Sequence, residues 1–203
     1  METTISVDPP VQRLTDRQLE TLRRPLNRTR IAHRQQGGKQ LSYLESWDVR
    51  AHLIRVFGYT NFDVLVEDAD FVTLRPYTKD GKDMVQVIWR ATVQLNVRDQ
   101  HGYHLCTYRE TAVGTASGPQ DMLGEHHDNA VKTAASDALK RCAINLGTQF
   151  GLSLYDDGNT ADVVKGTVFD PPPVAPATDA EALANIQRSL GGEKIGEEPA
   201  EAP

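Results

Sequence analysis

Two basic residues and a tyrosine surround a Gly-Gly turn in the first quarter of the sequence. Arg34 and Lys39 flank the run QQGG, and Tyr43 follows the lysine by four residues. Guanidinium and ammonium groups bind phosphates, and an aromatic ring offers a face on which a nucleobase can stack. These residue types are typical of a surface that binds single-stranded nucleic acid, although an ordinary charged surface would account for them equally well.

A second group of basic residues lies in the second half of the chain, in a segment predicted to be helical. Lys132 and Lys140 are eight residues apart, which is about two helical turns, so both lie on one side of the helix. That side is not the one on which the apolar residues lie. We therefore predict a binding surface where the Arg34–Tyr43 segment meets this helix.

The distribution of charge is compatible with such a surface even though the net charge of the chain is −6. Residues 1–156 contain 19 basic and 19 acidic residues, whereas residues 157–203 contain three and nine. Within residues 13–39, eight basic residues face only two acidic ones. This N-terminal segment could neutralise phosphates, or it could form a solvated, arginine-rich helix face.

Common signatures of catalysis are missing from the sequence. It contains no P-loop motif, no dinucleotide-binding GxGxxG, no HExxH zinc motif and no GxSxG nucleophile motif. The adjacent His126 and His127 point about 100° apart on a helix, which is a poor arrangement for one metal ion, so we expect an ordinary exposed pair. We therefore predict no catalytic centre, no metal site and no cofactor.

Two other functional classes remain open. Carboxylates could form the magnesium site of a nuclease, and the candidates are Glu45, Asp48, Asp68 and Asp70. Asp48, however, is better explained as a residue of the first turn of a helix, and Asp68 and Asp70 as turn residues between strands. The other class is an RNA-binding or purely scaffolding β-sheet module.

The cysteines and the hydropathy indicate the compartment. Cys106 and Cys142 do not form a CxxC pair and are predicted to be reduced thiols in a strand and a helix. No stretch approaches the ~18 apolar residues of a membrane span, and the N-terminus lacks the basic flank and apolar run of a signal peptide. We expect a cytoplasmic protein with no membrane partner.

The N-terminal part of the sequence predicts two helices with a short strand between them. Thr15 and Gln18 have the spacing of a capping box, so the first helix begins at Asp16. A strand at 40–44 leads to the second helix, with Ser46 as its N-cap. The apolar residues of this second helix recur on one face, at Val49, Leu53, Val56 and Phe57.

Residues 84–98 predict a long strand, because apolar side chains occupy every second position. A turn at 99–102 leads to an antiparallel partner at 103–113, and residues 62–77 provide one or two earlier strands. We therefore expect a curved antiparallel meander of three to five strands, with one face buried and the other in water.

A long helix over residues 120–150, which follows a loop at 114–118, is predicted to cover the sheet and to give an α+β fold. Its predicted apolar stripe consists of Val131, Ala135, Ala138, Cys142, Leu146 and Phe150. Residues 157–203 are rich in Pro, Ala, Glu and Gly and predict a disordered acidic tail. The expected organisation is a flexible N-terminus at 1–14, one folded domain at 15–156 and this tail.

Four motifs, in this order, resemble the Rad52/Rad22 family of single-strand annealing proteins. They are RQQGGKQLSYLE at 34–45, FGY at 57–59, VQL at 93–95 and AASDALKR at 134–141. The resemblance extends over residues 15–155 with few gaps. Each motif alone is weak, but their combination and spacing are fairly specific.

The resemblance implies a β-β-β-α core whose subunits form a ring, with single-stranded DNA in a positively charged groove around the outside. It implies an inner DNA site that contains Arg34, Tyr43, Lys140 and Arg141. An outer site would contain Lys82. Two further basic positions of the family are replaced here, by Ile144 and by a residue near Gln120, so the inner site is the better supported.

The expected function is therefore binding of single-stranded DNA and annealing of complementary strands without ATP, in homologous recombination and double-strand break repair. The candidate DNA-binding residues are Arg34, Lys39, Tyr43, Lys82, Lys132, Lys140 and Arg141. The acidic tail could bind a single-strand-binding protein or an exonuclease, or compete with DNA for the basic surface. A short tail of this kind suggests a phage or prophage version, in the bacterial cytoplasm or the nucleoid of an infected host.

Overall fold

The alternating residues of the predicted long strand form β4 (Lys82–Arg98), the middle strand of a three-stranded antiparallel sheet. The structure, a computed structural model, describes residues 13–167. The neighbouring strands β3 (Phe62–Lys79) and β5 (His104–Pro119) pair with β4 along nearly their whole length. The predicted antiparallel meander is confirmed, with three strands.

β3 is one continuous strand and not two. Its pairing with β4 shifts register between Val66 and Asp68 and again between Phe71 and Thr73. Shifts of this kind are typical of β-bulges, which bend and twist a strand without ending it. Asp68 and Asp70 therefore lie within β3, and the turn predicted for them is wrong.

The long helix predicted after the sheet is α3 (Leu123–Ile144), which packs on β4 and β5. It ends well before residue 150, and the chain continues in short 3-10 turns. Of the predicted apolar stripe, Ala138 and Cys142 are buried in the core, and Ala135 is partly buried and packs against it. Leu146 and Phe150 also contact the core but lie beyond the end of α3. The prediction is wrong at Val131, which belongs to neither core cluster. The buried residues of α3 are His126, Ala130, Ala134, Ala138, Leu139, Cys142 and Ala143.

Glycines of β5 allow α3 to approach the sheet closely. The segment 114–118 is part of β5, so the loop predicted there is wrong. A Cβ at Gly114 would lie 2.0 Å from the Ala130 carbonyl oxygen and 2.4 Å from the Ala134 nitrogen. Ala130 and Ala134 are themselves completely buried, because little more than a methyl group fits between the helix and the sheet.

Gly118 makes a similar contact with a histidine. A Cβ there would lie 2.3 Å from the His126 ring, and His126 is buried with its Nε2 2.9 Å from the Pro119 carbonyl oxygen. His127 is partly buried, and its Nδ1 is 2.9 Å from Trp89 Nε1, which donates a hydrogen bond to it. The predicted exposed histidine pair is therefore wrong, because His126 is buried against β5 and the His127 ring contacts Phe71 of β3 and Trp89 of β4.

A separate antiparallel hairpin consists of β1 (Ile31–Gln36) and β2 (Lys39–Leu44). Gly37 and Gly38 have φ values of +58° and +77°, which the tight turn of a two-residue hairpin requires. β2 was predicted at almost these residues. No strand was predicted over β1, because its sequence IAHRQQ has no sustained alternation of apolar and polar residues.

Two helices flank this hairpin in the chain, α1 (Asp16–Arg23) and α2 (Ser46–Phe57). The predicted capping box at Thr15 is confirmed. The N-cap of α2 is Glu45 and not Ser46, which is the first residue of the helix. The four residues of α2 that were predicted to face the protein core are all buried: Val49, Leu53, Val56 and Phe57.

A buried ion pair joins the start of the hairpin to α2. Arg30 donates to Asp48 through Nε at 3.0 Å and Nη2 at 2.8 Å, and both side chains are largely buried. Arg30 also donates to Gln149 through Nη1 at 3.1 Å. Gln149 Nε2 in turn donates to the carbonyl oxygens of Arg24 and Pro25. Because a buried charge requires such partners, this cluster holds separate segments in one arrangement.

His52 of α2 lies beside this ion pair. Among the residues that the structure describes, neither of its ring nitrogens has a hydrogen-bond partner. Its ring makes an edge contact with Phe150, with 5.0 Å between the centroids. Burial and then the Arg30 guanidinium lower the pKa of His52 to about 4, while Asp48 acts in the opposite direction. The ring is therefore neutral at neutral pH.

Residues 157–164, which the sequence prediction assigns to the tail, hydrogen bond to earlier parts of the chain. The Leu26 amide donates to the Thr160 carbonyl oxygen at 2.8 Å. The Thr148 hydroxyl donates to Asp162 Oδ1, also at 2.8 Å. These contacts hold the chain in place after the last 3-10 turn.

The predicted flexible N-terminus before residue 13 and the predicted tail beyond residue 167 lie outside the described residues. The chain divides into one unit up to Val164 and a second from Lys165. Cys106 and Cys142 are free thiols in a strand and a helix, as predicted. In the described part of the chain, no helix is long and apolar enough to cross a bilayer.

Replacing Gly114 with alanine should destabilise the fold, because the new Cβ would overlap two backbone atoms of α3. Overpacking at a site that cannot relax costs about 3 kcal/mol of the free energy of unfolding. Gly124→Ala is the control: nothing lies within 4 Å of a Cβ there, so stability should stay within about 1 kcal/mol of wild type. Urea denaturation measures both variants, and equal stabilities would contradict the close contact.

The depressed pKa of His52 should make stability depend on pH. Above about pH 6.5, the ordinary pKa of histidine, both the folded and unfolded states hold the ring neutral. As the pH falls from there towards 4, His52 becomes protonated in the unfolded state but stays neutral in the folded state, so the stability of the fold decreases. The free energy of unfolding of His52→Leu should therefore decrease less than that of wild type over this pH range. Urea denaturation at several pH values measures both. If the two free energies depend on pH in the same way, His52 is not the group responsible.

Candidate nucleic-acid interface

An open groove of about 770 Å³ lies between the hairpin, α3 and the edge strand β5. The hairpin contributes Arg34 and residues 40–44, and β5 contributes residues 111–113. The last turns of α3 and Val49 of α2 line another part of the groove. The chain after α3 lines the rest, from Phe150 through Tyr155 to Asp157 and Gly158. This is the junction at which the sequence predicted a binding surface.

Four residues of this groove come from the predicted inner DNA site, and we call them the groove cluster: Arg34, Tyr43, Lys140 and Arg141. Arg34 Cζ lies 5.4 Å from the centroid of the Tyr43 ring, and Lys140 Nζ lies 5.6 Å from it. Both distances are within the ~6 Å range of cation–π interactions. The ring therefore holds two positive charges close together, one from the hairpin and one from α3.

The hairpin register explains why Arg34 and Tyr43 meet. Arg34 pairs with Leu41, and Tyr43 pairs with Ala32. Because side chains two residues apart on a strand point to the same face, Arg34 and Tyr43 are diagonal neighbours on one face of the hairpin. On α3, Arg141 lies in the last turn, where the helix dipole favours cations, and Lys140 directly precedes it.

The cations of the groove cluster differ in how strongly acids of the chain neutralise them. Lys140 Nζ lies 2.6 Å from Asp137 Oδ1, and Asp137 itself lines the groove. Within the described residues, neither Arg34 nor Arg141 forms an ion pair with a carboxylate. A phosphate would therefore meet two unneutralised guanidinium groups and would compete with Asp137 for Lys140.

Glu45 orients the tyrosine of the groove cluster. The Tyr43 hydroxyl donates to Glu45 Oε1 at 3.0 Å. This hydrogen bond is the main reason that the pKa of Tyr43 is raised above its ordinary value; burial adds to the effect, and Arg34 opposes it. The phenol is therefore neutral, and its ring is fixed beside the two cations.

Three predicted DNA-binding residues lie outside the groove lining. Lys39 is exposed at the tip of the hairpin, roughly 13 Å along β2 from Tyr43. Lys132 is exposed on α3, roughly 12 Å along the helix from Lys140, and pairs with Asp128 at 2.5 Å. Lys82 begins β4, roughly 30 Å along that strand from the part that adjoins the groove. Their roles in DNA binding remain predictions.

Two parts of the groove were not predicted. Residues 111–113 line it because β5 is an edge strand of the sheet. Tyr155 lines it because the chain returns past the hairpin after α3. No local pattern reveals either feature, since both depend on how distant segments are arranged.

The four carboxylates considered for a magnesium site do not form one cluster. Asp48 is buried against Arg30, and Glu45 accepts the Tyr43 hydroxyl. Asp68 and Asp70 lie on β3, and Asp70 pairs with Arg90. Among the described residues, no group of three or more His, Cys, Asp or Glu is arranged to hold a metal ion.

The chain is similar to one known protein family and to a curated member of a related kind. The model of the Rad52/22 family of double-strand break repair proteins matches residues 15–171. The DNA repair and recombination protein RAD52 of Candida glabrata is 29% identical over 138 residues, which are 67% of this chain and 25% of the relative. The chain thus spans about a quarter of that curated relative. The resemblance seen in the motifs is confirmed, and the chain belongs to the Rad52/22 family of double-strand break repair proteins.

Proposed function

We propose that the chain binds single-stranded DNA in this groove and anneals complementary strands without ATP, in homologous recombination and double-strand break repair. The observation that supports this most directly is the groove cluster itself. Its members come from the hairpin and from α3, yet Arg34 and Lys140 both lie within 6 Å of the Tyr43 ring in an open groove. Membership of a double-strand break repair family supports the class of process.

The physical basis is compensation of phosphate charge. Two complementary strands repel each other through their phosphates, and cations that replace condensed counterions reduce this cost. Contacts to phosphate and sugar fix the position of a strand but do not occupy its base edges. A strand held through Arg34, Lys140 and Arg141 would keep bases free to pair with a second strand. Base pairing then supplies the free energy, so the process requires no nucleotide hydrolysis.

Assembly into a homo-oligomeric ring is part of the proposal. In the described chain, β3 and β5 are the two edges of the sheet. β3 exposes large apolar side chains at Leu65, Val66, Phe71, Val72, Leu74 and Tyr77. Exposed apolar edges favour association, and contact between two different surfaces of identical subunits can close into a ring. The groove would then repeat around the assembly.

The role of the acidic tail is also a proposal. Docking of a single-strand-binding protein or an exonuclease, and competition with DNA, both follow from its net negative charge. Most of this segment, from residue 168 onwards, lies outside the described residues.

Arg34→Ala and Lys140→Ala should each weaken binding of a labelled single-stranded oligonucleotide at low salt, by roughly tenfold, because a charge-assisted contact is lost. The slope of log affinity against log salt concentration should fall by about 0.7 for each phosphate contact removed. Arg75→Ala is the control, since it removes one exposed positive charge from β3, outside the groove lining and outside the candidate DNA-binding residues. An equal effect in the control would locate the binding surface elsewhere.

Annealing of complementary labelled strands should proceed in a fluorescence assay without ATP, and Arg34→Ala should slow it. Cleavage of labelled strands in the presence of Mg²⁺ would support the nuclease alternative instead.

The native mass of the protein should be that of an oligomer. A monomeric mass would refute the ring.

A further inference from the structure

Tyr155 is an exposed aromatic residue in the lining of the groove. It ends the last 3-10 turn, Leu152–Tyr155, and 76% of its surface is accessible to water. Within the described part of the chain, its side chain makes no hydrogen bond and its ring contacts neither a cation nor another ring. The groove cluster tyrosine differs in this respect, because two cations and Glu45 already contact it.

The backbone that presents Tyr155 is held firmly on both sides. Before it, Ser153 is completely buried, and Gly151 adopts the left-handed conformation (φ +96°) with Leu44 3.4 Å from the position of a Cβ. After it, the Gly158 amide donates to the Leu154 carbonyl oxygen at 3.0 Å. The exposure of the ring is therefore not the result of a frayed chain end, since the segment packs against β2.

The groove thus has two chemically different parts. Arg34, Lys140 and Arg141 provide positive charge on the hairpin and α3. The last 3-10 turn provides an unoccupied aromatic ring and no cation, and the Asp157 carboxylate lines the groove just after it. A single strand has the same two parts, a charged backbone and flat bases. Aromatic side chains next to a basic groove bind single strands by stacking with bases, whatever the sequence.

We infer that Tyr155 stacks with a base of the single strand whose phosphates the groove cluster binds. This inference rests on the proposed function and extends it, because it assigns the base-facing part of the groove to a residue outside the groove cluster. One base would be held against Tyr155 while its neighbours remain free to pair.

Tyr155→Ala should weaken binding of an oligo-dT strand by roughly tenfold, and Tyr155→Phe, which keeps the ring, should bind within about twofold of wild type. The slope of affinity against salt should not change in either variant, because no charge is removed. Tyr103→Ala is the matched control: Tyr103 is a half-exposed tyrosine in the β4–β5 connection outside the groove, so its variant should bind like wild type.

A strand of equal length without bases separates stacking from other effects. Wild type should bind this abasic strand more weakly than oligo-dT, and Tyr155→Ala should bind it as well as wild type does. An equal loss for Tyr155→Ala on both strands would overturn stacking. A lowered native mass of Tyr155→Ala would overturn it too, by showing that the ring contacts a second copy of the chain.

The outcomes also distinguish the inference from the proposed function. If wild type binds oligo-dT and Arg34→Ala weakens this binding while Tyr155→Ala does not, the inference fails alone. If wild type does not bind oligo-dT at low salt, the proposed function fails and the inference fails with it.

Discussion

Direct contact between the backbones of α3 and β5 determines where the rest of the fold can lie. No Cβ fits at Gly114, so the separation of helix and sheet is set by main-chain atoms and alanine methyl groups and not by large side chains. Interiors packed at this density do not adjust continuously. The last turns of α3 are therefore held at a fixed height above β5, and Lys140 and Arg141 come to line the same groove as residues 111–113.

The hairpin side of the groove depends on an electrostatic contact instead of close packing. Arg30 precedes β1, and its buried pairing with Asp48 attaches the hairpin to α2. Buried ion pairs often add little net stability, because desolvation offsets the attraction between the charges. The effect of this pair is mainly positional: a single arrangement satisfies Arg30, Asp48 and Gln149 together, and it places Arg34 and Tyr43 opposite α3.

Elements with a strong local pattern were predictable from the sequence, and features created by tertiary contacts were not. β4 and α2 each bury one regular face, so their periodicity predicts them correctly. β1 lacks such a pattern and is defined by its pairing with β2. Gly114 resembles a loop residue by type, but close approach of a helix backbone is what requires it. Similarly, motif spacing identifies the groove cluster, whereas Tyr155 reaches the groove only through the path of the chain after α3.

Local pairing of charges explains how a chain with a net charge of −6 can present a cationic groove. On the three-stranded sheet, carboxylates of β3 neutralise three arginines, in the pairs Asp63–Arg98, Glu67–Arg109 and Asp70–Arg90. Exposed pairs of this kind contribute little to stability, but they cancel positive charge on the sheet. Arg34 and Arg141 have no such partner among the described residues. The charge that remains at the groove therefore depends on this short-range pairing and not on the net charge of the chain.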